Sequence, residues 1–165
     1  LAEDNSNAVD VFFHLLDWLA AEEKLIPDSF CVLQPTSPLR LAKDIDGAVK
    51  LFEKTDALAV LSVTNSKPLP WYHYLKNNSV MVPLEMQGES VNPMEARQNM
   101  SNLVVQNGAV HVFNTAELRE TRSYYGPKTY GFVMPATRSI DIDDAMDFSI
   151  AKALMINKMS HLEEV

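Results

Sequence analysis

The sequence has little cysteine, little glycine and no long apolar run, and these shortages exclude several classes of protein. Its one cysteine, Cys31, lies in an apolar run and is predicted to be a small buried hydrophobe in a reducing compartment, with a reactive thiol as the alternative. No apolar run approaches the roughly 20 residues that a membrane helix needs. The N-terminus, "LAEDNSNAVDVFF", has neither a basic region nor a cleavage pattern. We therefore expect a cytoplasmic protein with no signal peptide and no membrane contact.

Basic residues are also scarce relative to acidic ones. The chain has 14 Lys and Arg against 22 Asp and Glu, which gives a net charge of −8. Sequence-independent nucleic-acid binding requires a basic face, so a nucleic-acid partner is not expected. An anionic substrate would have to meet locally placed Arg or Lys residues, or a metal ion. None of the five glycines lies in a GxGxxG or GxxxxGK pattern, so no loop that cradles phosphates is recognisable.

What the sequence does contain is an alternation of helical and strand patterns. Apolar residues recur at helical spacing after Asp4 or Ser6, either of which can cap a helix. In order along the chain, the predicted elements are helix 9–19, strand 30–34, helix 41–55, strand 57–64, strand 103–113, helix 115–121, strand 130–134 and helix 144–158. A turn or bulge is predicted at Asn107 and Gly108. This alternation is the βαβ pattern, so we expect an α/β fold with a parallel sheet covered on both faces.

Residues 67–100 interrupt this alternation. Prolines punctuate the stretch and aromatic residues lie between them, which makes it too long and too apolar for a plain loop. A large exposed apolar patch usually marks an interface. We predict a single domain over residues 1–165, with 67–100 inserted as an arm that packs on a second copy of the chain. The alternative is that the arm folds back over a bare edge of its own sheet.

The stretch "FCVLQPTSPLR" begins as a buried strand and continues into polar residues between two prolines. In open α/β sheets, ligands bind just beyond the carboxyl ends of the strands. Gln34, Thr36 and Ser37 offer an amide and two hydroxyls there, and Arg40 offers a planar cation that suits a carboxylate or a phosphate. The prolines would hold the loop in place before a ligand binds. The alternative is a Pro-rich turn in which Ser37 or Thr36 caps the next helix.

The stretch "RSIDIDDAMD", 138–147, suggests a metal site. If "SIDID" is extended, Asp141 and Asp143 face the same side, because residues two apart in a strand share a face. Two adjacent carboxylates repel each other unless a cation lies between them, and oxygen ligands suit Mg²⁺. The alternative is that Asp143 or Asp144 caps the last helix, with Asp147 favoured near its positive end.

Other candidate residues are less specific. The four histidines are far apart and lack metal-ligand spacing, so each, His111 included, is predicted to be a structural or surface residue. Arg97 and Gln98 precede a predicted strand and form a solvated turn in the simplest interpretation. Tyr124 and Tyr125 are core or interface aromatics by the same reasoning. No arrangement of serine, histidine and aspartate for nucleophilic catalysis is recognisable.

Taken together, these stretches resemble a known family. "LQPTSPLR", "SVT", "RQ", "QNGAVHVFN" and "RSIDIDDAMD" follow one another in the order seen in acylneuraminate cytidylyltransferases, also called CMP-sialic acid synthetases. The resemblance runs from about residue 1 to about residue 155. It implies a Rossmann-like nucleotidyltransferase fold, a three-layer α/β sandwich with a dimerisation arm. It also implies an enzyme that transfers CMP from CTP to the anomeric hydroxyl of a nine-carbon acidic sugar and releases pyrophosphate.

The resemblance further implies a role for each matching residue. Asp141 and Asp143 would hold Mg²⁺, and Arg97 would approach the sugar carboxylate; these three are the implied catalytic residues. The implied substrate-binding residues are Gln34, Thr36, Ser37, Arg40, Gln98, Gln106, Asn107, Gly108, Tyr124 and Tyr125. The family commonly has tyrosine where this chain has His111. Residues 67–100 fall where the family has its dimerisation arm, which implies a homodimer.

The family opens with a strand and a Gly-rich basic loop that cradles the CTP phosphates, and no such loop is recognisable in this sequence. The fold is therefore expected to be an incomplete version of the family's, truncated by roughly its first third. Two functions are open on this basis. One is a cytidylyltransferase, or a fragment of one that is inactive alone. The other is a non-catalytic acidic-sugar-binding or dimerisation module.

Overall fold

The fold was obtained as a computed structural model, which describes residues 7–65, 73–76, 80–83, 85–86, 89–90 and 104–163, with side chains described for 7–65 and 104–157. Its helices are α1 (Ala8–Trp18), α2 (Ala42–Lys54), α3 (Thr115–Thr121) and α4 (Ala145–Glu163), with a π-helical turn at Leu19–Glu23 and a 3₁₀ turn at Ala136–Arg138. Its strands are β1 (Ser29–Val32), β2 (Ala59–Asn65), β3 (His73–Lys76), β4 (Val80–Pro83), β5 (Glu85–Met86), β6 (Glu89–Ser90), β7 (Val104–Asn114) and β8 (Thr129–Val133). Within the described residues, no helix is long and apolar enough to cross a membrane.

The main sheet has four strands in the order β1-β7-β2-β8. Strand β2 runs parallel to β8, whereas β7 runs antiparallel to both β1 and β2. The expectation of a purely parallel sheet is therefore wrong. The β1-α2-β2 crossover does make β1 and β2 parallel, but β7 lies between them. Helix and strand periodicity identifies such a crossover without revealing which strand pairs with which, because pairing involves distant segments.

Helices cover both faces of this sheet, as expected. Alternate residues of β2 point to opposite faces: Ala59 and Leu61 pack with α1 and α3, whereas Val60 packs with α2. The α1 side holds Val9, Phe13, Leu16, Leu58, Phe113 and Leu118. The α2 side holds Ala48, Ala57, Ala109, Val110, Val112 and Met134. The result is a three-layer α/β sandwich, which agrees with the predicted fold class.

Two expectations about individual residues are wrong. Cys31 is exposed, because β1 is an edge strand with β7 as its one neighbour in the described sheet. Partial burial of its thiol still raises the pKa of Cys31, although the charge of Arg40 opposes that effect. The N-cap of α1 is Asn7 rather than Asp4 or Ser6, since its side chain accepts a hydrogen bond from the Val9 N–H at 2.9 Å.

A bulge in β7 creates the irregular backbone that the sequence predicted at Asn107 and Gly108. Leu61 pairs with His111 and Val63 pairs with Gln106, so two steps along β2 match five steps along β7. Gly108 lies inside this bulge with φ of +66°, a conformation that residues with a Cβ adopt only at a cost. A Cβ there would lie 2.0 Å from Gln34 Oε1 and 3.1 Å from Asp141 Oδ2. Glycine is therefore required both by the backbone and by the side chains above it.

We expect the Gly108→Ala substitution to lower the free energy of unfolding by about 1–3 kcal/mol, through backbone strain and displacement of the Gln34 side chain. Gly126→Ala is the matched control, because a Cβ at Gly126 has nothing within 4 Å and its φ is not in the left-handed region. The control should stay within about 0.5 kcal/mol of wild type. Urea unfolding measures both values. Equal midpoints for the two variants would contradict this account of the bulge.

Candidate functional site

The loop after β1 is braced by its own arginine. Arg40 Nη1 donates hydrogen bonds to the backbone oxygens of Gln34, at 2.6 Å, and Ser37, at 2.9 Å. The Ser37 N–H also donates to the Gln34 oxygen at 3.3 Å, which closes a turn. Ser37 is fully buried, and its hydroxyl donates to the Asn107 backbone oxygen at 2.8 Å. In this structure Arg40 and Ser37 thus shape the loop, while Gln34 points its amide oxygen toward Gly108.

Neither Ser37 nor Thr36 caps the following helix. Helix α2 begins after Leu41, whose backbone N–H donates to Asp44 Oδ2 at 2.9 Å. Asp44 is an acidic residue in the first turn of the helix, where the helix dipole favours a negative charge. The alternative interpretation of this loop as a simple helix cap is therefore wrong.

Asn107 is the centre of a buried hydrogen-bond network. Its side chain is 2% exposed, and Oδ1 accepts hydrogen bonds from the Ser62 hydroxyl at 2.6 Å and the Ala109 N–H at 3.2 Å. Its Nδ2 donates to Ser139 Oγ at 2.8 Å. Ser62 Oγ in turn accepts from the Val110 N–H at 2.8 Å, which satisfies a backbone donor inside the bulge. The network joins β2, the β7 bulge and the chain before α4.

Sequence reasoning placed Asn107 in the site but missed the serines that hold it. Ser62 is the one polar side chain among buried residues 57–63, "ALAVLSV". A polar residue in the middle of an apolar strand needs a hydrogen-bond partner, so this signal was available. Ser139 gave no comparable signal, because it follows Arg138 in a polar stretch and does not interrupt an apolar strand.

The chain from Arg138 to Asp143 carries the predicted metal ligands but is not a strand in the structure. The alternation argument for Asp141 and Asp143 therefore does not apply. Asp143 is exposed, whereas Asp141 Oδ1 is buried and has no hydrogen-bond partner within the described residues. A buried carboxylate oxygen without a hydrogen bond lowers the stability of the fold unless a ligand supplies the missing interaction. The metal-binding role of the two aspartates stays a prediction.

Asp144, rather than Asp143, caps helix α4. Its carboxylate accepts hydrogen bonds from the N–H groups of Met146, at 2.7 Å, and Asp147, at 3.0 Å. Asp147 reciprocates by accepting from the N–H groups of Asp143 and Asp144 at 3.1 and 3.2 Å. The helix-cap interpretation is thus correct for Asp144. A helix cap explains why Asp144 is acidic, but it gives no structural role to Asp141.

His111 is a buried residue close enough to Asp141 for that carboxylate to act on its imidazole. It is 7% exposed, and its Nε2 has no hydrogen-bond partner among the described residues. Burial lowers the pKa of His111 below its ordinary value, although the charge of Asp141 acts in the opposite direction. Gln34, Gly108, His111 and Asp141 together form one small polar region, which we call the Asp141 region.

A second pair of predicted residues is also in contact. Gln106 Nε2 donates to the Tyr125 hydroxyl at 2.9 Å. The Tyr124 and Tyr125 rings are 4.7 Å apart, and Tyr124 lies 5.5 Å from the Phe113 ring. Burial raises the pKa of Tyr124, with a further contribution from Tyr125. Tyr124 thus belongs to the core edge, while Tyr125 and Gln106 are exposed.

Part of the predicted site, Arg97 and Gln98, falls outside the described residues. The same holds for most of the predicted arm. Within the part of the chain that is described, no three His, Cys, Asp or Glu side chains group in a way that could hold a metal ion. A cation at Asp141 and Asp143 would need oxygens from its ligand or from water.

The fold resembles that of a solved nucleotidyltransferase structure. The 4-diphosphocytidyl-2C-methyl-D-erythritol synthase of Anaerococcus prevotii superposes with a TM-score of 0.58, at 11% identity, over 92% of this chain and 67% of that one. Identity this low supports the fold alone. No protein-family profile matches this sequence.

Sequence relatives cover nearly the whole chain. An N-acylneuraminate cytidylyltransferase of Escherichia coli is 30% identical over 163 residues, which is 96% of this chain and 36% of that protein. A CMP-N,N'-diacetyllegionaminic acid synthase of Legionella pneumophila is 27% identical over 94% of this chain and 65% of that protein. The chain thus spans about a third of the first relative's length. By sequence, this chain is a homologue of the acylneuraminate cytidylyltransferases, which confirms the resemblance carried by its motifs.

Proposed function

We propose that this chain forms the acidic-sugar and metal-binding part of a CMP-acidic-sugar synthetase, working in the cytoplasm. The observation that carries the proposal is that the match to an N-acylneuraminate cytidylyltransferase covers 96% of the chain. The Asp141 region supports it, because Asp141 and Gln34 meet at a glycine, and because Asp141 Oδ1 and His111 Nε2 have no hydrogen-bond partner among the described residues.

The proposed reaction is nucleotidyl transfer. The anomeric hydroxyl oxygen of the sugar attacks the α-phosphorus of CTP, a new P–O bond forms, and the bond to the β-phosphate bridging oxygen breaks. Pyrophosphate leaves and the hydroxyl proton is lost. Positioning and charge stabilisation supply most of the catalytic effect in such transfers. Arg97 would pair with the sugar carboxylate through two parallel hydrogen bonds.

Asp141 and Asp143 are the residues that would hold a magnesium ion. Asp141 fits that role because its buried Oδ1 has no hydrogen-bond partner in the part of the chain that the structure describes, and Asp143 offers an exposed carboxylate two residues away. When bound, the ion offsets charge on the triphosphate. Gln34 and His111 would contact the part of the ligand nearest Asp141, and Gln106 with Tyr125 would form an exposed border.

The metal proposal is tested by titrating Mn²⁺ into the protein and measuring the free ion by electron paramagnetic resonance. Asp141→Asn should weaken Mn²⁺ binding by about tenfold or more, because it removes a charged oxygen ligand. Asp144→Asn is the matched control, since asparagine caps a helix as well as aspartate does and the same motif loses the same charge. Equal weakening in both variants would show that general acidity, and not Asp141, attracts the ion.

Activity separates the two candidate functions. The 165-residue chain alone should release no pyrophosphate from CTP and N-acetylneuraminic acid, because its sequence contains no recognisable phosphate loop. Fusing it to the part of the Legionella synthase that the match leaves out should produce turnover, and Asp141→Asn should abolish that turnover. The alternative function is a non-catalytic acidic-sugar-binding or dimerisation module. A folded fusion that binds CTP but never turns over would favour that alternative.

We also propose that the chain is a homodimer whose arm, residues 67–100, crosses to the partner. In the described residues, β3 pairs with β4 and β5 pairs with β6, and neither hairpin joins the four-stranded sheet. An isolated two-stranded hairpin is marginally stable in water, so each must gain stability from packing. A second subunit supplies that surface in this proposal.

Light scattering should give about twice the 18.5 kDa chain mass at tens of micromolar. Replacing Val80 and Val82 together with aspartate should yield monomers, because alternate residues of β4 share a face and burying unpaired charge is costly. Val133→Asp is the control: Val133 is 56% exposed on the edge strand β8, so the mass should not change. A monomeric wild-type protein would overturn the dimer.

A further inference from the structure

Among the described residues, the segment that carries Asp141 is attached to the rest of the protein at three points. Arg138, at its start, forms two hydrogen bonds with Asp44, from Nε to Oδ2 at 2.9 Å and from Nη2 to Oδ1 at 2.7 Å. Ser139 accepts a hydrogen bond from Asn107. The Ile142 N–H donates to the Thr36 backbone oxygen at 2.9 Å. Asp141 lies between the second and third attachments, so its position depends on all three.

The Arg138–Asp44 pair is the only charged attachment of the three. The Asp44 side chain is 3% exposed and that of Arg138 is 20% exposed, so water screens the pair little. Two parallel N–H···O bonds between a guanidinium and a carboxylate fix direction as well as distance. Burial alone would raise the pKa of Asp44, but the hydrogen bonds and charge of Arg138 lower it below its usual value. The pair is therefore ionised at neutral pH.

Asp44 also connects this pair to the loop on the other side of the site. Its Oδ2 accepts from the Leu41 N–H, at the point where the loop after β1 enters α2. One carboxylate thus ties the loop that carries Gln34 to the segment that carries Asp141, and the two side chains meet above Gly108. No sequence motif indicated this link, because Asp44 and Arg138 are 94 residues apart.

We propose that Arg138 is a positioning residue which, through Asp44, holds the unpaired carboxylate of Asp141 beside Gly108 and Gln34. This inference rests on the proposed metal-binding role of Asp141. Buried ion pairs contribute little net stability on average, and their best-attested use is to select one arrangement of the chain. An orphaned carboxylate oxygen favours moving out to water, so an attachment that resists this motion is required. A lysine at this position could not form the two parallel hydrogen bonds that the Arg138 guanidinium forms with Asp44.

Two measurements on the whole chain test the proposal. The first is amide hydrogen exchange at Ile142, whose N–H bond to Thr36 reports whether the segment is held. The second is Mn²⁺ affinity. In Arg138→Gln, we expect exchange at Ile142 to rise by about tenfold or more and Mn²⁺ affinity to fall by about tenfold, as for other groups that support a ligand. Arg138→Lys keeps the charge, so its exchange rate at Ile142 and its Mn²⁺ affinity should both be intermediate between those of Arg138→Gln and wild type.

Two internal references separate positioning from general destabilisation. The Asn114 N–H donates to the Leu58 oxygen at 2.9 Å in the core sheet, so its exchange should be unchanged. Arg119→Gln breaks a different ion pair, with Asp17 at 2.6 Å between α3 and α1, and should change neither measurement. If Arg138→Gln does not fold, Asp44→Asn removes the same pair from its other side, and Arg138→Lys remains as the mildest change.

Each remaining result decides the question. Faster exchange at Ile142 and Asn114 alike would mean that Arg138 merely stabilises the fold, which overturns the proposal. Faster exchange at Ile142 with unchanged Mn²⁺ affinity overturns it as well, since the held position would not matter to the ligand. If the wild-type protein binds no Mn²⁺, the proposed metal site fails on its own account. Even in that case, equal exchange rates at Ile142 in Arg138→Gln and wild type would overturn the positioning role of Arg138.

Discussion

The hydrogen bonds of the buried Asn107 side chain are the constraint on which the rest of the site depends. A carboxamide that is 2% exposed must satisfy its oxygen and its amino group inside the protein. It does so with Ser62 on β2, with the Ala109 N–H in the bulge and with Ser139 before α4. Because these partners belong to three separate segments, the amide can be satisfied only when all three are in place. Core packing alone does not demand such an arrangement.

The bulge in β7 follows from the same network. Extra residues in one strand leave backbone N–H groups without a ladder partner, and Ser62 and Asn107 accept two of these bonds. Gly108 then turns with a positive φ, which brings the Gln34 amide and the Asp141 carboxylate over a position that has no side chain of its own. The site is thus formed where the regular sheet is interrupted, on a strand whose residues 107–113 are all buried.

Charge is placed locally in a protein that is acidic overall. With a net charge of −8, the chain as a whole repels anions. Two of the cations near the described site, Arg40 and Arg138, bind backbone oxygens and Asp44, and they brace the loops. In the proposed function, attraction of an acidic sugar and a triphosphate would then depend on Arg97, which falls outside the described residues, and on a metal ion. Such a division would keep the site's framework rigid without filling it with positive charge.

The sequence by itself determined the type and order of the elements outside residues 67–100, and the family to which the chain is related. Apolar spacing located α2, α3, β2 and β7 to within about two residues, because that spacing reflects which face each element buries. The motif "SIDIDD" pointed to the acidic residues before α4, and "QNGAV" to the bulge. The sequence could not tell which of these aspartates caps the helix and which has no hydrogen-bond partner among the described residues, because Asp141 and Asp144 are the same residue type in one short run.

Only the tertiary structure decided which strands are neighbours, which residues hold the site and which of them are free to bind. Periodicity is a local property, whereas β7 comes to lie between β1 and β2 through contacts between segments far apart in sequence. The Arg138–Asp44 pair and the Ser37, Ser62 and Ser139 contacts with Asn107 span 32 to 94 residues. Hydrogen bonds over such separations depend on where the folded chain brings two groups together, and no local pattern of residue types encodes that.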